Sequence, residues 1–215
     1  MPATLLSALL LGIVLGMRHA TDADHVVAVS TIVARRPRLV EALKIGALWG
    51  VGHTVTILLV GGAIILLHLV IPARLGLAME FAVALMLIGL GAYNLFGGRR
   101  LAAGAFSSAR PVLVGVVHGL AGSAAVSLLV LAAIPDPGWG MAYLLLFGAG
   151  TIGGMMAITA TMAAPMAVAT ARFHRMQASL QLAAGSLSVA FGLFLAFRLI
   201  AFDGLFALDP RWLPH

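Results

Sequence analysis

The chain has 215 residues, of which 62% are hydrophobic and 9% charged, at a mean hydropathy of +1.10. That composition excludes a soluble domain of this length and describes an integral membrane protein. The absence of cysteine excludes disulfides, thiolate-bound zinc and iron–sulfur clusters, leaving nitrogen, oxygen and thioether donors for any metal.

Apolar spans are expected over about 4–33, 43–70, 78–96, 111–134, 140–169 and 180–202. Several of them approach or exceed the roughly 20 residues that a helix needs to cross the hydrocarbon core. The period-2 alternation of an outer-membrane barrel is missing, so the fold class expected is all-α, a single polytopic membrane domain over 1–215. The opening MPATLLSALLLG has no basic n-region and no small-residue cleavage site, so the first span is expected to stay in the mature protein.

The first span carries the main signal. Arg18, His19, Asp22, Asp24 and His25 lie within RHATDADH, in a stretch otherwise almost wholly apolar from Met1 to Ala34. A central Asp or Arg in a membrane helix costs roughly 2.5 to 3.5 kcal/mol, so three of them need about 7 to 10 kcal/mol of compensation. A bound cation is the simplest source. On an unbroken helix His19, Asp22 and His25 share one face, with Arg18 close to Asp22. Asp24 then points elsewhere, unless it meets another helix or the segment is locally unwound as in many transporter sites; local distortion is the favoured reading. Imidazole with carboxylate at this spacing suits a borderline divalent cation such as Ni²⁺, Co²⁺ or Zn²⁺, whereas Mg²⁺ and Ca²⁺ prefer oxygen alone. A proton relay uses the same residue types, and a self-satisfied Arg18–Asp22 pair with packed histidines is the blander alternative.

The loop after this span holds Arg35, Arg36, Arg38 and Lys44, that after the third span Arg99, Arg100 and Arg110, and that after the fifth Arg172 and Arg175. The other side has Arg74 in a loop and Arg211 in the tail, with Glu80, Asp136, Asp203 and Asp209 nearby. By the positive-inside rule both termini face outward, in an inner (cytoplasmic) membrane. The basic loops read as topology determinants that meet anionic lipid headgroups, not as a nucleic-acid surface.

In the second span, His53 of VGHTVT is the natural additional ligand, and Gly50 and Gly52 permit close approach of another helix. Thr54 offers a hydroxyl or bonds back into its own helix. Glu80 is expected to be solvated. In the fourth span, His118 of GVVHGLAGSAA stands among small neighbours and either lines the pathway or packs the span. In the fifth, Thr151 is a candidate pathway residue, while Met155 and Met156 read mainly as gap fillers. His68, His174 and His215 read as structural or peripheral.

The second half matches the first weakly but in order. His19 falls over His118, Gly50 and Gly52 over Gly148 and Gly150, and Gly91 over Gly192, at offsets of 99, 98 and 101. Repeats over 1–97 and 110–204 with three spans each would be inverted relative to one another, as in many secondary transporters, with substrate held between them.

RHATDADHVVAVSTI resembles the signature of the nickel/cobalt transporter (NiCoT) family and its wider superfamily, in which two histidines flank an aspartate-rich centre. VGHTVT is similar to that family's second signature. The HGLAGSA and FGAGTIGGM segments resemble its shorter branch, described as urease accessory protein H-like. The resemblance implies a permease for Ni²⁺ or Co²⁺, with His19, Asp22, Asp24, His25 and His53 on the metal pathway. Longer members have eight spans and a late acidic motif, for which this chain has no acid in FGAGTIGGMM. The reading that follows is transport without a resident cofactor and without catalysis, with His118, Thr54 and Thr151 lining the path. Expected partners are the metal ion and the bilayer, and beyond them a second copy of the chain or a metalloenzyme maturation partner. No Walker motif is present, so ATP hydrolysis within the chain is not expected. Two alternatives stand beside this reading: an accessory subunit that delivers metal without translocating it, and an intramembrane metal-dependent hydrolase. The hydrolase would need a base that the spans, lacking HExxH and a spare Glu, do not supply.

Overall fold

The structure, a computed structural model, describes residues 2–35, 38–69, 71–96, 109–120, 134, 136–172, 176–207 and 209–212, with the backbone alone for 2–5. These residues form α1 (Pro2–His19), α2 (Ala23–Val33), α3 (Leu39–Leu67), α4 (Ala73–Phe96), α5 (Ala109–Leu120), α6 (Pro137–Arg172) and α7 (Met176–Ala201). There is no strand among the described residues. Four helices, α3, α4, α6 and α7, are long and apolar enough to cross a membrane, and α1, α2 and α5 contribute shorter apolar segments. The chain is thus a helical membrane protein.

Its surface and interior have the polarity that lipid solvent selects. Leu59, Leu85, Leu145, Phe194 and Phe197 point outward, while His25, His53, His118, Thr151, Thr159 and Ser188 are buried. A polar side chain is better satisfied by neighbouring helices than by hydrocarbon. Thr159 accordingly bonds the Met155 carbonyl at 2.8 Å, and Ser188 donates to the Leu87 carbonyl across the α4–α7 contact at 2.7 Å.

The expected first span is two helices. It breaks at Ala20–Asp22, where Asp22 has an extended backbone (φ −60°, ψ 147°) and stands at the N-cap of α2. The amides of Thr21 and Asp22 turn back onto the carbonyls of Arg18 and His19. Asp22 and Asp24 thus sit at the positive end of the α2 dipole, which favours their charge. The expected second, third, fifth and sixth spans correspond to α3, α4, α6 and α7. Of the span expected over 111–134, α5 covers the beginning, and residues 121–133 lie outside the described part, with Gly122 and Ser123 among them.

Helix α1 packs along α6, α3 packs against both α5 and α6, and α4 pairs with α7. Two contacts decide how close the first of these helices come. A Cβ at Gly16 would stand 2.1 Å from the Phe147 carbonyl oxygen and 2.8 Å from the Thr151 nitrogen. One at Gly115 would stand 2.1 Å from the Trp49 carbonyl oxygen and 2.9 Å from the His53 nitrogen. Only glycine permits either backbone approach, and each brings a helix bearing a terminal histidine, His19 or His118, against a long span.

Helix α2 is tied to the α4–α7 pair through its C-terminal carbonyls. Asn94 Nδ2 donates to Thr31 O at 2.8 Å, Gln181 Nε2 to Ala34 O at 3.4 Å and Gln177 Nε2 to Arg35 O at 3.1 Å. The Arg35 guanidinium donates to Asn94 Oδ1 and the Tyr93 carbonyl and lies 4.0 Å over the Tyr93 ring. Beyond α7 the chain folds back on the start of α4. Trp212 Nε1 donates to Glu80 Oε1 at 2.8 Å, so Glu80 is engaged by the C-terminal segment and not simply solvated as expected.

Candidate metal centre

The break after α1 brings the polar signature into one place. His19 is the last residue of α1, Asp24 and His25 open α2, His53 lies at the middle of α3, and His118 lies near the end of α5. His25 and His118 are 0% exposed, His53 1% and His19 6%. Ring centroids place His25 at the centre of the group, 4.7 Å from His19, 5.4 Å from His53 and 4.5 Å from His118.

Two constellations result. In the first, His19 Nε2 and His53 Nε2 are 3.0 Å apart, and with His25 they offer three ligand atoms within 4.8 Å of one another. Two nitrogens that bind one ion at about 2.1 Å and at right angles are themselves about 3.0 Å apart, so this pair has the spacing of neighbouring ligands on a single cation. On the far side of its ring His19 Nδ1 meets Asp22 Oδ2 at 2.8 Å. That carboxylate orients the ring and leaves Nε2 as the coordinating nitrogen, the arrangement of metal-binding histidines in general. In the second constellation Asp24, His25 and His118 come together. Asp24 Oδ1 accepts from the His25 amide at 2.9 Å and lies 3.1 Å from His25 Nδ1. Asp24 Oδ2 is 3.3 Å from His118 Nε2, off the direction of a hydrogen bond.

The polar accounting points to a missing partner. His25 Nε2, His53 Nδ1 and both ring nitrogens of His118 are buried without a hydrogen bond. A buried polar atom left in that state costs about 1 to 3 kcal/mol. Nitrogen and carboxylate donors collected in this way suit a borderline divalent ion.

The structure brings His19, Asp22, Asp24, His25, His53 and His118 together. Asp24 joins because the helix breaks; on an unbroken helix it would point away. Asp22 engages His19, not Arg18 as the bland alternative had it, and Arg18 is exposed. Thr54 and Thr151 are buried beside these helices, but each spends its hydroxyl proton on a carbonyl: Thr54 on Gly148 O at 3.2 Å, Thr151 on Phe147 O at 3.0 Å. His68 ends α3 in a left-handed conformation (φ 51°), and His174 and His215 lie outside the described residues.

Sequence reasoning passed over the aromatic walls. Trp49 is fully buried, with its ring centroid 5.2 Å from His118 and 6.1 Å from His25. Phe147 is likewise buried, 5.6 Å from His19. Their signal was present, since Trp49 precedes His53 by four residues as Phe147 precedes Thr151.

Comparison with known proteins gives one informative relative. The chain is 34% identical to the urease accessory protein UreH of Bacillus sp. (strain TB-90), over 96% of its own length and 98% of the relative's. It belongs to the UreH family. The two proteins match over nearly their full lengths, so the family membership covers the helices that build the histidine cluster as well as the rest of the bundle. No family model matches the chain, and no solved structure matches it.

Proposed function

We propose that the chain is a membrane permease that moves a divalent transition-metal ion, Ni²⁺ or Co²⁺, through the site formed by His19, Asp22, Asp24, His25 and His53, with His118, Thr54 and Thr151 beside the path. The observation that carries this reading is the convergence of buried imidazole nitrogens without a hydrogen bond, from separate helices, at the point where the first span breaks. Irregular backbone at membrane depth is tolerated where it lines a site, and such breaks recur at the substrate sites of transporters. The resemblance of RHATDADHVVAVSTI to the nickel/cobalt transporter signature supports that choice of ion, and the relative is named as an accessory to urease. The chain itself is not an enzyme; its relative is named as an accessory to one.

The reading includes an inverted internal repeat over 1–97 and 110–204 within one membrane domain of six spans. Reciprocal helix contacts support it. Gly16 meets Phe147 and Thr151, and Gly115, 99 positions later, meets Trp49 and His53, each 98 positions earlier. The Gly52 contact with the Val112 carbonyl has its counterpart in Gly150 against that of Ile13. Gly91 against Gly185 and Val189 is matched by Gly192 against Ala84 and Ile88. Contacts exchanged between halves in this manner are those of a two-fold relation. In a cytoplasmic membrane with both termini outside, the membrane potential alone drives a divalent ion inward with about 4.6 kcal/mol per 100 mV.

The test is flux of radioactive Ni²⁺ and Co²⁺ into proteoliposomes that contain only this chain. Wild type is expected to take up metal, and His19→Ala or Asp22→Asn to abolish uptake while the protein remains folded. Normal uptake by either variant would mean that the site is misassigned. The relative's designation as an accessory protein favours one second reading, delivery of metal to a maturation partner without translocation. Tight metal binding with no flux from the isolated chain would select it.

A further inference from the structure

His118 and Asp24 are more than lining. We propose that Asp24, His25 and His118 form a second coordination station for the metal ion, in which His118 takes the part that its repeat counterpart His19 has in the first, and that His25, shared by both, passes a single ion between them. This rests on the permease reading and adds to it the route of the ion inside the site.

The argument begins with the shared residue. Each constellation contains three ligand residues, and His25 is common to both. A neutral imidazole has one protonated nitrogen and one lone pair, so it serves one ion at a time. Its Nδ1 faces Asp24, while its Nε2 is buried and unbonded. The two stations are therefore alternatives, occupied in turn by the same ion, and not a binuclear centre.

Symmetry supplies the second step. His19 and His118 are repeat counterparts, 99 positions apart. Each lies near the C-terminal end of a short helix, α1 or α5, pressed by a glycine onto a long span, α6 or α3. Each ring also faces an aromatic residue, Phe147 at 5.6 Å or Trp49 at 5.2 Å, and these are counterparts themselves at an offset of 98. His25 has no such counterpart among histidines, since Ala124 occupies the position 99 later. It lies between the two rings at nearly equal distance, 4.7 and 4.5 Å. A pair of symmetry-related ligands with one unpaired ligand between them is what a two-sided pathway needs: one station for each face of the membrane and one residue to hand over.

Both ring nitrogens of His118, which is wholly buried, lack a hydrogen bond. A histidine that merely packed α5 would be expected to bond a neighbouring carbonyl. Its Nε2 instead looks toward Asp24 Oδ2 at 3.3 Å, which places an imidazole and a carboxylate on the same small space.

The experiment is Ni²⁺ binding to the full chain in lipid nanodiscs, by equilibrium dialysis, with ligands counted by X-ray absorption. Wild type is expected to bind one Ni²⁺. His19→Ala and His118→Ala should each still bind one, with affinity within about tenfold of wild type, because each leaves a station intact. His25→Ala and the double variant His19→Ala/His118→Ala should lose at least about 100-fold, the upper end of what loss of even an outer-sphere partner costs. In proteoliposomes His118→Ala should bind metal but not transport it. Should His118→Ala unfold, His118→Gln keeps the volume and removes the ligand, with thermal melting as the check. Two Ni²⁺ per wild-type chain, complete loss of binding in His19→Ala alone, or full transport by the His118 variant would overturn the proposal. Binding as expected, with no flux from wild type, would refute the permease reading and leave the two stations standing.

Discussion

At the scale of single residues, the molecule depends on positions that have no side chain. A methyl group at Gly115 has the Trp49 carbonyl oxygen 2.1 Å away, and that oxygen belongs to a rigid span that cannot yield without moving His53. Gly153, in the same bundle, is exposed, and a methyl group there would have nothing within 4 Å. Gly115→Ala is therefore expected to destabilise the protein by about 1 to 3 kcal/mol through overpacking. Gly153→Ala should be neutral or stabilising by up to about 1 kcal/mol through helix propensity. Thermal unfolding of the two variants in one detergent makes the comparison, and equal melting temperatures would refute the close-contact account. The polar half of the site was legible at this scale, because charge in an apolar span is conspicuous. The aromatic half was harder to read: Trp49 and Phe147 have the side chains of any membrane core, and beyond their shared spacing before His53 and Thr151 only proximity to His118 and His19 distinguishes them.

At the scale of elements, α2 is the part to watch, since its first turn carries Asp24 and His25 and its last turn is bound to the α4–α7 pair. The carbonyls at a helix end have no partner within the helix. Here Asn94 and Gln181 supply donors to two of them, Thr31 O and Ala34 O, and Gln177 to Arg35 O just beyond. Asn94 also accepts from the Arg35 guanidinium, so Asn94→Ala removes a donor and an acceptor together. The expected cost is about 1 to 3 kcal/mol, the usual penalty for stranding buried polar groups. Hydrogen–deuterium exchange should show faster exchange confined to α2 and the facing turn of α4, with α3 and α6 protected as in wild type. Unchanged exchange in α2 would mean that the clamp carries no weight. The break ahead of α2 could be anticipated from composition, since Asp22 is a good N-cap residue and Asp24 belongs in a first turn. Its consequence could not, because the approach of Asp24 to His118 joins residues 94 positions apart in sequence.

At the scale of the whole molecule, the orientation expected rests on charge. Arg38 and Lys44 before and within α3, Arg110 in α5 and Arg172 at the end of α6 mark one face; Arg74 and Arg211 are outnumbered by acids on the other. If α7 crosses the membrane, Ala171, at the end of α6, and Ala207, beyond the end of α7, lie on opposite sides. Both are exposed. The chain has no cysteine of its own, so a single introduced thiol reports its position without background. With a membrane-impermeant maleimide on intact cells, Ala207→Cys should label at once and Ala171→Cys only after permeabilisation. Neither substitution removes a cation, so the charge pattern that sets the topology is preserved. The reverse labelling would invert the molecule in the membrane and refute the orientation read from charge, while the potential would still drive the ion inward. Labelling of both from the same side would mean that α7 does not cross, leaving an odd number of spans and no inverted pairing of α4 with α7. The repeat and the two-sided pathway through His25 would then lose their geometric basis together, which makes these two thiols the most economical test of the architecture as a whole.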